Sequence, residues 1–126
     1  MNPSDEARWI GAAPTYIAQY MGAAGLQNPG NNSLLCDTGA VGGGWYDIFV
    51  VVTASNQLGV SNLDFQWRNA ANSANVLDIP FFGYTELALS FELRNIKVGA
   101  GERFRFYITG GFTGIVGASI FAVRRA

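Results

Sequence analysis

The sequence predicts an all-β protein built as a single antiparallel β-sandwich of seven to eight strands. Short apolar segments recur about every ten residues, a spacing typical of sandwiches rather than of βαβ folds. No stretch of ten or more residues carries a helical stripe of apolar side chains. Hydrophobic residues make up 49% of the 126 positions and charged residues only 13%, which excludes a disordered chain. A chain of this length fits one domain.

The first residues lack sandwich periodicity, so we divide the chain into an N-terminal arm at residues 1–13 and a sandwich domain at 14–126. A short helix and an irregular arm are both open for the first segment, because one and a half helical turns need packing to hold. Weak alternation predicts a first strand within 14–31, and a brief apolar run predicts another at 34–36. The Gly-rich segment 39–44 then predicts a turn.

The strongest strand signal spans residues 45–53, where β-branched and aromatic side chains fill almost every position. Both faces of this strand are apolar. One face carries Trp45, Phe49 and Val51, and the other carries Tyr46, Ile48, Val50 and Val52. Such a strand is either covered on both sides or lies in an oligomer interface.

The second half of the chain alternates more strictly between apolar and polar residues. The predicted strands are 63–68, 76–81 after a hairpin loop at 69–75, 85–94, a segment around 104–108, and 115–123. The side chains predicted to point inward are Leu63, Phe65, Trp67, Leu87, Leu89, Phe91, Leu93, Phe104, Phe106 and Ile108. Among these we expect Trp67, Phe91 and Phe106 to lie in the inter-sheet core.

Residue types needed for common catalytic chemistry are absent or scattered. The chain has no His and one Cys, so it lacks the usual general base and the residues of a zinc site. Cys36 in an apolar strand is expected to be a buried small hydrophobe. Glu86 and Glu92 lie roughly 20 Å apart along one strand, too far for a glycosidase pair, and we expect them to pair across strands with arginines. We therefore predict no enzyme activity, no cofactor and no metal site.

Several binding classes are also disfavoured by composition. The segment 39–44 lacks the Lys and the following helix of a phosphate-binding loop, so we expect a tight loop at one end of the sandwich. Eight basic and nine acidic residues give a net charge of −1, which is not the footprint of a nucleic-acid-binding surface. The two long uncharged stretches are interrupted by Pro, Asn, Gln or Gly and do not predict membrane spans. The acidic start is unlike a secretory signal, so we expect a soluble protein without a targeting segment.

Two motifs carry a family resemblance that covers roughly residues 33–126. Residues 44–51 (Gly-Trp-Tyr-Asp-Ile-Phe-Val-Val) resemble the opening of a core strand in jelly-roll domains of the tumour-necrosis-factor and complement-C1q type. Residues 96–106 resemble the turn of those domains into the penultimate strand. A polar arm, a Gly/Ala-rich and His-poor sandwich and a short basic end together resemble small phage virion proteins, including capsid decoration proteins.

The resemblance implies a jelly-roll-like sandwich and a homo-oligomer, with a trimer as the expected form. It further implies a structural virion protein, made in the host cytoplasm and located on the capsid surface. Its partners are then its own copies and the major capsid protein or other virion proteins. The alternative is a receptor- or carbohydrate-binding head of a tail fibre or adhesin. Most aromatic residues fall at core positions and the longest polar loop, 69–75, contains none, which favours the structural class.

Three groups of residues are candidates for the interface with these partners. The arm holds Arg8, Trp9 and Ile10 without a partner strand, and Trp and Arg are frequent interface anchors. The arm then either docks on a neighbouring subunit or shell, or folds back over its own sandwich. The last strand contributes Ile115, Val116, Ile120 and Phe121. Arg124 and Arg125 form a basic end that is either solvated or in contact with a phosphate or an acidic neighbour.

Overall fold

The computed structural model describes residues 18–55, 63–81, 88–110 and 112–126, and every regular element within these ranges is a β-strand. The eight strands are β1 (Ala18–Gln27), β2 (Ser33–Asp37), β3 (Gly44–Ala54), β4 (Leu63–Arg68), β5 (Asn75–Phe81), β6 (Ala88–Val98), β7 (Arg103–Ile108) and β8 (Ile115–Arg124). The predicted arm at 1–13, with Arg8, Trp9 and Ile10, lies outside the described residues, as do Glu86 and Leu87.

The strands form two four-stranded antiparallel sheets that face each other. The first sheet has the order β1-β8-β3-β6, and the second has the order β2-β7-β4-β5. The chain crosses between the sheets at every connection except the β4–β5 hairpin. Eight strands connected in this order form a jelly roll. The predicted all-β, jelly-roll-like sandwich is therefore confirmed.

The core lies between the two sheets and is built from the inward side of each alternating strand. From β3 it receives Tyr46, Ile48, Val50 and Val52, which are fully buried. From the second sheet it receives Leu63, Phe65, Phe104, Phe106 and Ile108, also fully buried. Trp67 and Phe91 are partly buried against this cluster, and the Phe91 ring meets Phe65 edge-to-face at 5.2 Å between centroids. The predicted inward phase of these strands is confirmed.

Strand β6 continues to Val98, past the predicted end at Arg94, because a bulge carries the chain onward. The pairing of β3 with β6 shifts register between Tyr46 and Ile48. Asn95 takes a φ of 55°, a left-handed conformation that Asn tolerates. The backbone N–H of Asn95 donates to Asp47 Oδ1 at 2.9 Å. Local alternation does not reveal this bulge, because the bond that fixes it joins residues far apart in sequence.

The Gly-rich segment 39–44 is a loop at one end of the sandwich, and two tyrosines fix it. The backbone N–H of Gly42 donates to Tyr20 Oη at 3.1 Å. The hydroxyl of Tyr46 donates to the Gly42 carbonyl at 2.5 Å, and burial raises the pKa of Tyr46 to about 12. Val41 also exchanges backbone bonds with the turn at 101–102. The backbone groups of this loop are therefore engaged within the chain, which agrees with a structural turn.

Candidate functional site: two outward sheet faces

The outward side of the first sheet is apolar over most of its length, and we term it the apolar face. Cross-strand register places Met21, Phe121 and Phe49 in one row. The next row along the strands consists of Ala23, Ser119 and Val51. Within the described residues the apolar face comprises Met21, Ala23, Gly25, Phe49, Val51, Thr53, Ile115, Gly117, Ser119 and Phe121. None of these side chains is charged.

Large apolar side chains on this face are open to solvent in the single chain. Met21 is 64% exposed, Ile115 is 56% exposed and Val51 is 46% exposed. Single exposed apolar residues are ordinary on soluble proteins, whereas a contiguous apolar patch marks an interaction surface. β3 was predicted to be covered on both sides or to lie in an oligomer interface. Within the described ranges its outward side is open to solvent at Val51 and partly open at Phe49.

Charged residues close one end of the apolar face and hold one another. Asp47 is buried and accepts a hydrogen bond from Arg125 Nε at 2.8 Å. The backbone N–H of Asn95 and then the Arg125 guanidinium lower the pKa of Asp47. Arg94 lies 3.9 Å from Asp47 and places its guanidinium over the Phe49 ring, 5.4 Å from the centroid. It also pairs with Glu92 at 3.0 Å, along the same strand rather than across strands as predicted.

A depression of about 380 Å³ lies where β3 and β6 run side by side. It is lined by Phe49, Val50, Val51, Ser90, Phe91 and Glu92. The strand β6 is an edge of the first sheet, so this depression opens at the margin of the apolar face. This depression could receive an apolar side chain of a partner that covers the apolar face.

The predicted interface residues of the last strand fall into two groups. Ile115 and Phe121 lie on the apolar face, exposed and half-buried respectively. Val116 and Ile120 have no exposed surface and pack in the inter-sheet core. Their assignment to the interface is corrected, because alternation along β8 turns them inward and leaves them out of reach of a partner.

The basic end formed by Arg124 and Arg125 is tied to its own chain. Arg125 meets its acidic neighbour within the chain, at Asp47, and its backbone N–H donates to the Trp45 carbonyl at 2.7 Å. Arg124 Nε donates to the Ala126 carbonyl at 3.4 Å. Arg125 therefore belongs to the charged boundary of the apolar face.

The outward side of the second sheet is polar, and we term it the polar face. Within the described residues it comprises Asp64, Gln66, Arg68, Asp78, Arg103, Arg105 and Tyr107. Alternation along the sequence predicts that the polar β4 residues and the β7 arginines point outward. It does not predict that the two groups are neighbours, because local alternation contains no information on strand register. In the structure Arg68 lies opposite Arg103, and Gln66 lies opposite Arg105.

Neutral amides hold two of the arginines on the polar face. Arg68 Nε and Nη1 donate to the side-chain oxygens of Asn72 and Asn75, both at 2.9 Å. Arg105 Nε donates to Gln66 Oε1 at 2.6 Å. The guanidinium of Arg105 also stacks on the Tyr107 ring, 4.7 Å from its centroid. These contacts order the guanidiniums of both residues.

The other end of the polar face holds a carboxyl group with an incomplete set of partners. Gln66 Nε2 donates to Asp64 Oδ2 at 2.8 Å. Asp64 Oδ1 is buried and accepts no hydrogen bond from the part of the chain that the structure describes. Burial, followed by the neighbouring carboxyl of Asp78, raises the pKa of Asp64 to about 6. Asp64 therefore binds a proton at mildly acidic pH.

Replacing Asp64 with asparagine is expected to raise the melting temperature at neutral pH. The folded-state pKa of Asp64, about 6, lies above its ordinary value of 3.8. Its stabilising contribution is therefore full below about pH 3.8 and is lost as pH rises through about 6. Melting curves of the parent chain should show this loss between about pH 3.8 and 6, and those of Asp64→Asn should not. Glu92→Gln is the charge-matched control on the other sheet. An unchanged pH dependence in Asp64→Asn would contradict the expectation.

The remaining chemistry of the described residues is sparse. Cys36 is 4% exposed and burial raises the pKa of its thiol to about 12, as expected of a buried hydrophobe rather than a nucleophile. Across the four described ranges, no group of three or more Cys, Asp or Glu residues is placed to hold a metal ion. The same ranges contain no helix of the length and hydropathy needed to span a membrane.

The fold and the two faces define a jelly-roll β-sandwich. No protein-family model and no curated protein sequence matches the chain. Among solved structures it is similar to a CBM4 structure, at 11% identity and a TM-score of 0.45, over 84% of this chain and 94% of the other. It is similar to the Eiger TNF of S. frugiperda at 12% identity and a TM-score of 0.44, over 89% of this chain and 94% of the other. It is also similar to the apo CBM1 of BiXyn10A at 13% identity and a TM-score of 0.43, over 89% of this chain and 99% of the other.

Proposed function

We propose that the chain is a structural, non-enzymatic protein that assembles with copies of itself through the apolar face. More specifically, the chain is an oligomeric capsid decoration or auxiliary protein that binds and stabilises a phage shell. The observation that carries the proposal is the apolar face, with Met21, Val51 and Ile115 open to solvent and without charge among its own residues. Burying such a surface contributes about 25 cal/mol per Å² of apolar area removed from water.

The dimensions of the apolar face suit a subunit contact. Three strands, β1, β8 and β3, spaced ~4.8 Å apart and about ten residues long, at ~3.3 Å per residue, span roughly 480 Å² in projection. Each partner in a standard interface contributes about 800 Å². At one end of the face Glu92 and Arg94 supply both signs of charge, so the boundary of one copy can pair with that of another. A second copy of the chain therefore fits this face.

The expected number of subunits and the shell come from the sequence resemblance. Closed symmetric rings are the usual form of single-chain oligomers. The trimer is proposed because residues 44–51 and 96–106 resemble tumour-necrosis-factor and C1q-type jelly rolls. The shell, with the major capsid protein as partner, is proposed because the layout of the chain resembles that of phage virion proteins. In this proposal the arm at 1–13 is the attachment element.

Co-sedimentation with capsid shells of the phage that encodes the chain tests the virion part of the proposal. The unmodified chain is expected to pellet with the shells and to saturate at a fixed ratio to the capsid protein. A chain that lacks residues 2–13 is expected to keep its oligomeric mass and to stay in the supernatant. If the unmodified chain forms its oligomer but never pellets with shells, the virion role is overturned while self-assembly stands.

A receptor- or carbohydrate-binding head of a tail fibre or adhesin is the second candidate function. The polar face favours it, because Arg68, Arg105 and Gln66 form an ordered set of hydrogen-bonding groups on an outward surface. The two candidates differ in the partner, since a decoration protein binds shells and a recognition head binds a glycan or receptor. Both are compatible with assembly through the apolar face.

A further inference from the structure

We infer that the polar face binds a polysaccharide that carries carboxylate or sulfate groups, through Arg68, Arg103 and Arg105. The three guanidiniums lie on the neighbouring strands β4 and β7, with Arg68 directly opposite Arg103 in register and Arg105 two residues further along β7. Like charges directly opposite each other on a sheet are destabilising. Asp37 offsets this repulsion at Arg103, and an anionic ligand would offset it at Arg68 and Arg105. The inference does not depend on shell binding.

Carboxylates pair with only one of these arginines within the described ranges. Arg103 Nη1 lies 3.5 Å from Asp37 Oδ2. Arg68 and Arg105 instead donate to neutral amide oxygens, and neither forms an ion pair within the described ranges, although Arg105 lies near enough to Asp64 to stabilise its charged form. In addition, Arg103 Nε is buried and donates to no acceptor among the described residues. Buried donors normally have an acceptor, so the ion pair with Asp37 does not satisfy the Arg103 guanidinium completely.

The guanidiniums are arranged before any ligand arrives. Asn72 takes a φ of 54° and accepts from Arg68, and a longer contact of 3.5 Å joins its side-chain oxygen to Arg105 Nη1. The Tyr107 ring and Gln66 fix the plane of the Arg105 guanidinium. Planar guanidiniums bind carboxylate or sulfate oxygens through pairs of hydrogen bonds. Ordering them in advance reduces the entropy lost on binding.

The position of the patch favours a polysaccharide over an acidic peptide. The strands β4 and β7 are interior strands of the second sheet, so their backbone groups are already paired. A peptide that adds to a sheet needs a free strand edge. The patch offers only side-chain groups: guanidinium donors for oxyanions, and the amide groups of Asn72 and Asn75 for hydroxyls. The net charge of −1 also means that the chain as a whole does not attract polyanions.

Titration calorimetry of the full chain with four polymers tests the inference. At about 0.1 M salt, binding is expected to polygalacturonate, to dextran sulfate, or to both, which distinguishes the carboxylate and sulfate sources. Neutral dextran is expected not to bind. Arg105→Gln is expected to weaken binding by about tenfold or more, and Arg105→Lys to restore only part of it, because lysine lacks the planar fork. Lys97→Gln, an exposed charge on the first sheet, is the charge-matched control and should bind normally.

Three outcomes would overturn the inference. Binding that falls equally in Lys97→Gln and Arg105→Gln would make the attraction a general effect of charge. Polyglutamate that binds as tightly as the sugar polymers would identify an acidic protein surface as the ligand instead. No binding to either anionic polymer, by a chain that keeps the parent melting temperature, would remove the site altogether. Arg105→Lys keeps the test decisive if Arg105→Gln fails to fold.

Discussion

Replacing Phe106 with alanine is expected to lower the free energy of unfolding by about 3–5 kcal/mol, the usual range for a buried Phe reduced to Ala. Phe106 is fully buried between the sheets, opposite Phe65 on β4. Its ring centroid lies 6.3 Å from that of Phe65 and 6.4 Å from that of Phe81. The substitution leaves a cavity in an aromatic cluster that the two rigid sheets cannot close. Domains of this size have only about 5–15 kcal/mol of stability in total.

Urea unfolding followed by far-ultraviolet circular dichroism measures this change. Phe91→Ala is expected to have a smaller effect, because Phe91 is only partly buried against the core. Val76→Ala on the edge strand β5 is the control; its side chain is 49% exposed, so its effect should stay within about 0.5 kcal/mol. If Phe106→Ala unfolds at the parent urea concentration, the inward register of β7 is wrong.

Replacing Val51 with lysine is expected to dissociate the oligomer without unfolding the chain. Val51 lies near the middle of the apolar face, beside Ser119 and Ser90 in register, and is 46% exposed in the single chain. In a subunit contact this position becomes buried, and a buried lysine without a partner costs several kcal/mol. In the single chain the ammonium stays in water, so the sandwich itself is little affected.

The concentration dependence of the melting temperature detects this dissociation. An oligomer melts at a higher temperature as protein concentration rises, whereas a monomer does not. The parent chain should show the rise over a hundredfold dilution series, and Val51→Lys should not. Val76→Lys on β5 introduces the same charge at a similar exposure on the other sheet and should behave as the parent. A parent melting temperature that is independent of concentration would argue against the contact.

The inward and outward sides of most strands were predictable because alternation depends only on a residue and its neighbours. Phe65 and Phe106 stand out against polar neighbours, and both are buried as predicted. Val116 and Ile120 were misplaced for a related reason. The residues between them are Gly, Ala and Ser, whose small side chains differ little in hydropathy, so the two sides of β8 look alike in sequence there. The period of two was present there, but composition alone did not show which phase pointed inward.

The polar face was not predictable because it depends on pairing between distant segments. Arg68 and Arg103 are 35 residues apart in sequence, and only the β4–β7 register places them side by side. The bulge at Asn95 has the same origin, since the Asn95 backbone N–H donates to Asp47 on another strand. Local patterns therefore predict which residues face outward. Which of them become neighbours is decided by the strand order and register of the folded sheets.

Sedimentation equilibrium of the unmodified chain tests the central claim, self-assembly through the apolar face, most directly. The chain has a mass of 13.5 kDa. At micromolar concentration it is predicted to sediment at a whole-number multiple of this mass, three times for the trimer, while Val51→Lys sediments as the single chain. A stable 13.5 kDa species of the unmodified chain throughout the micromolar range would contradict the account.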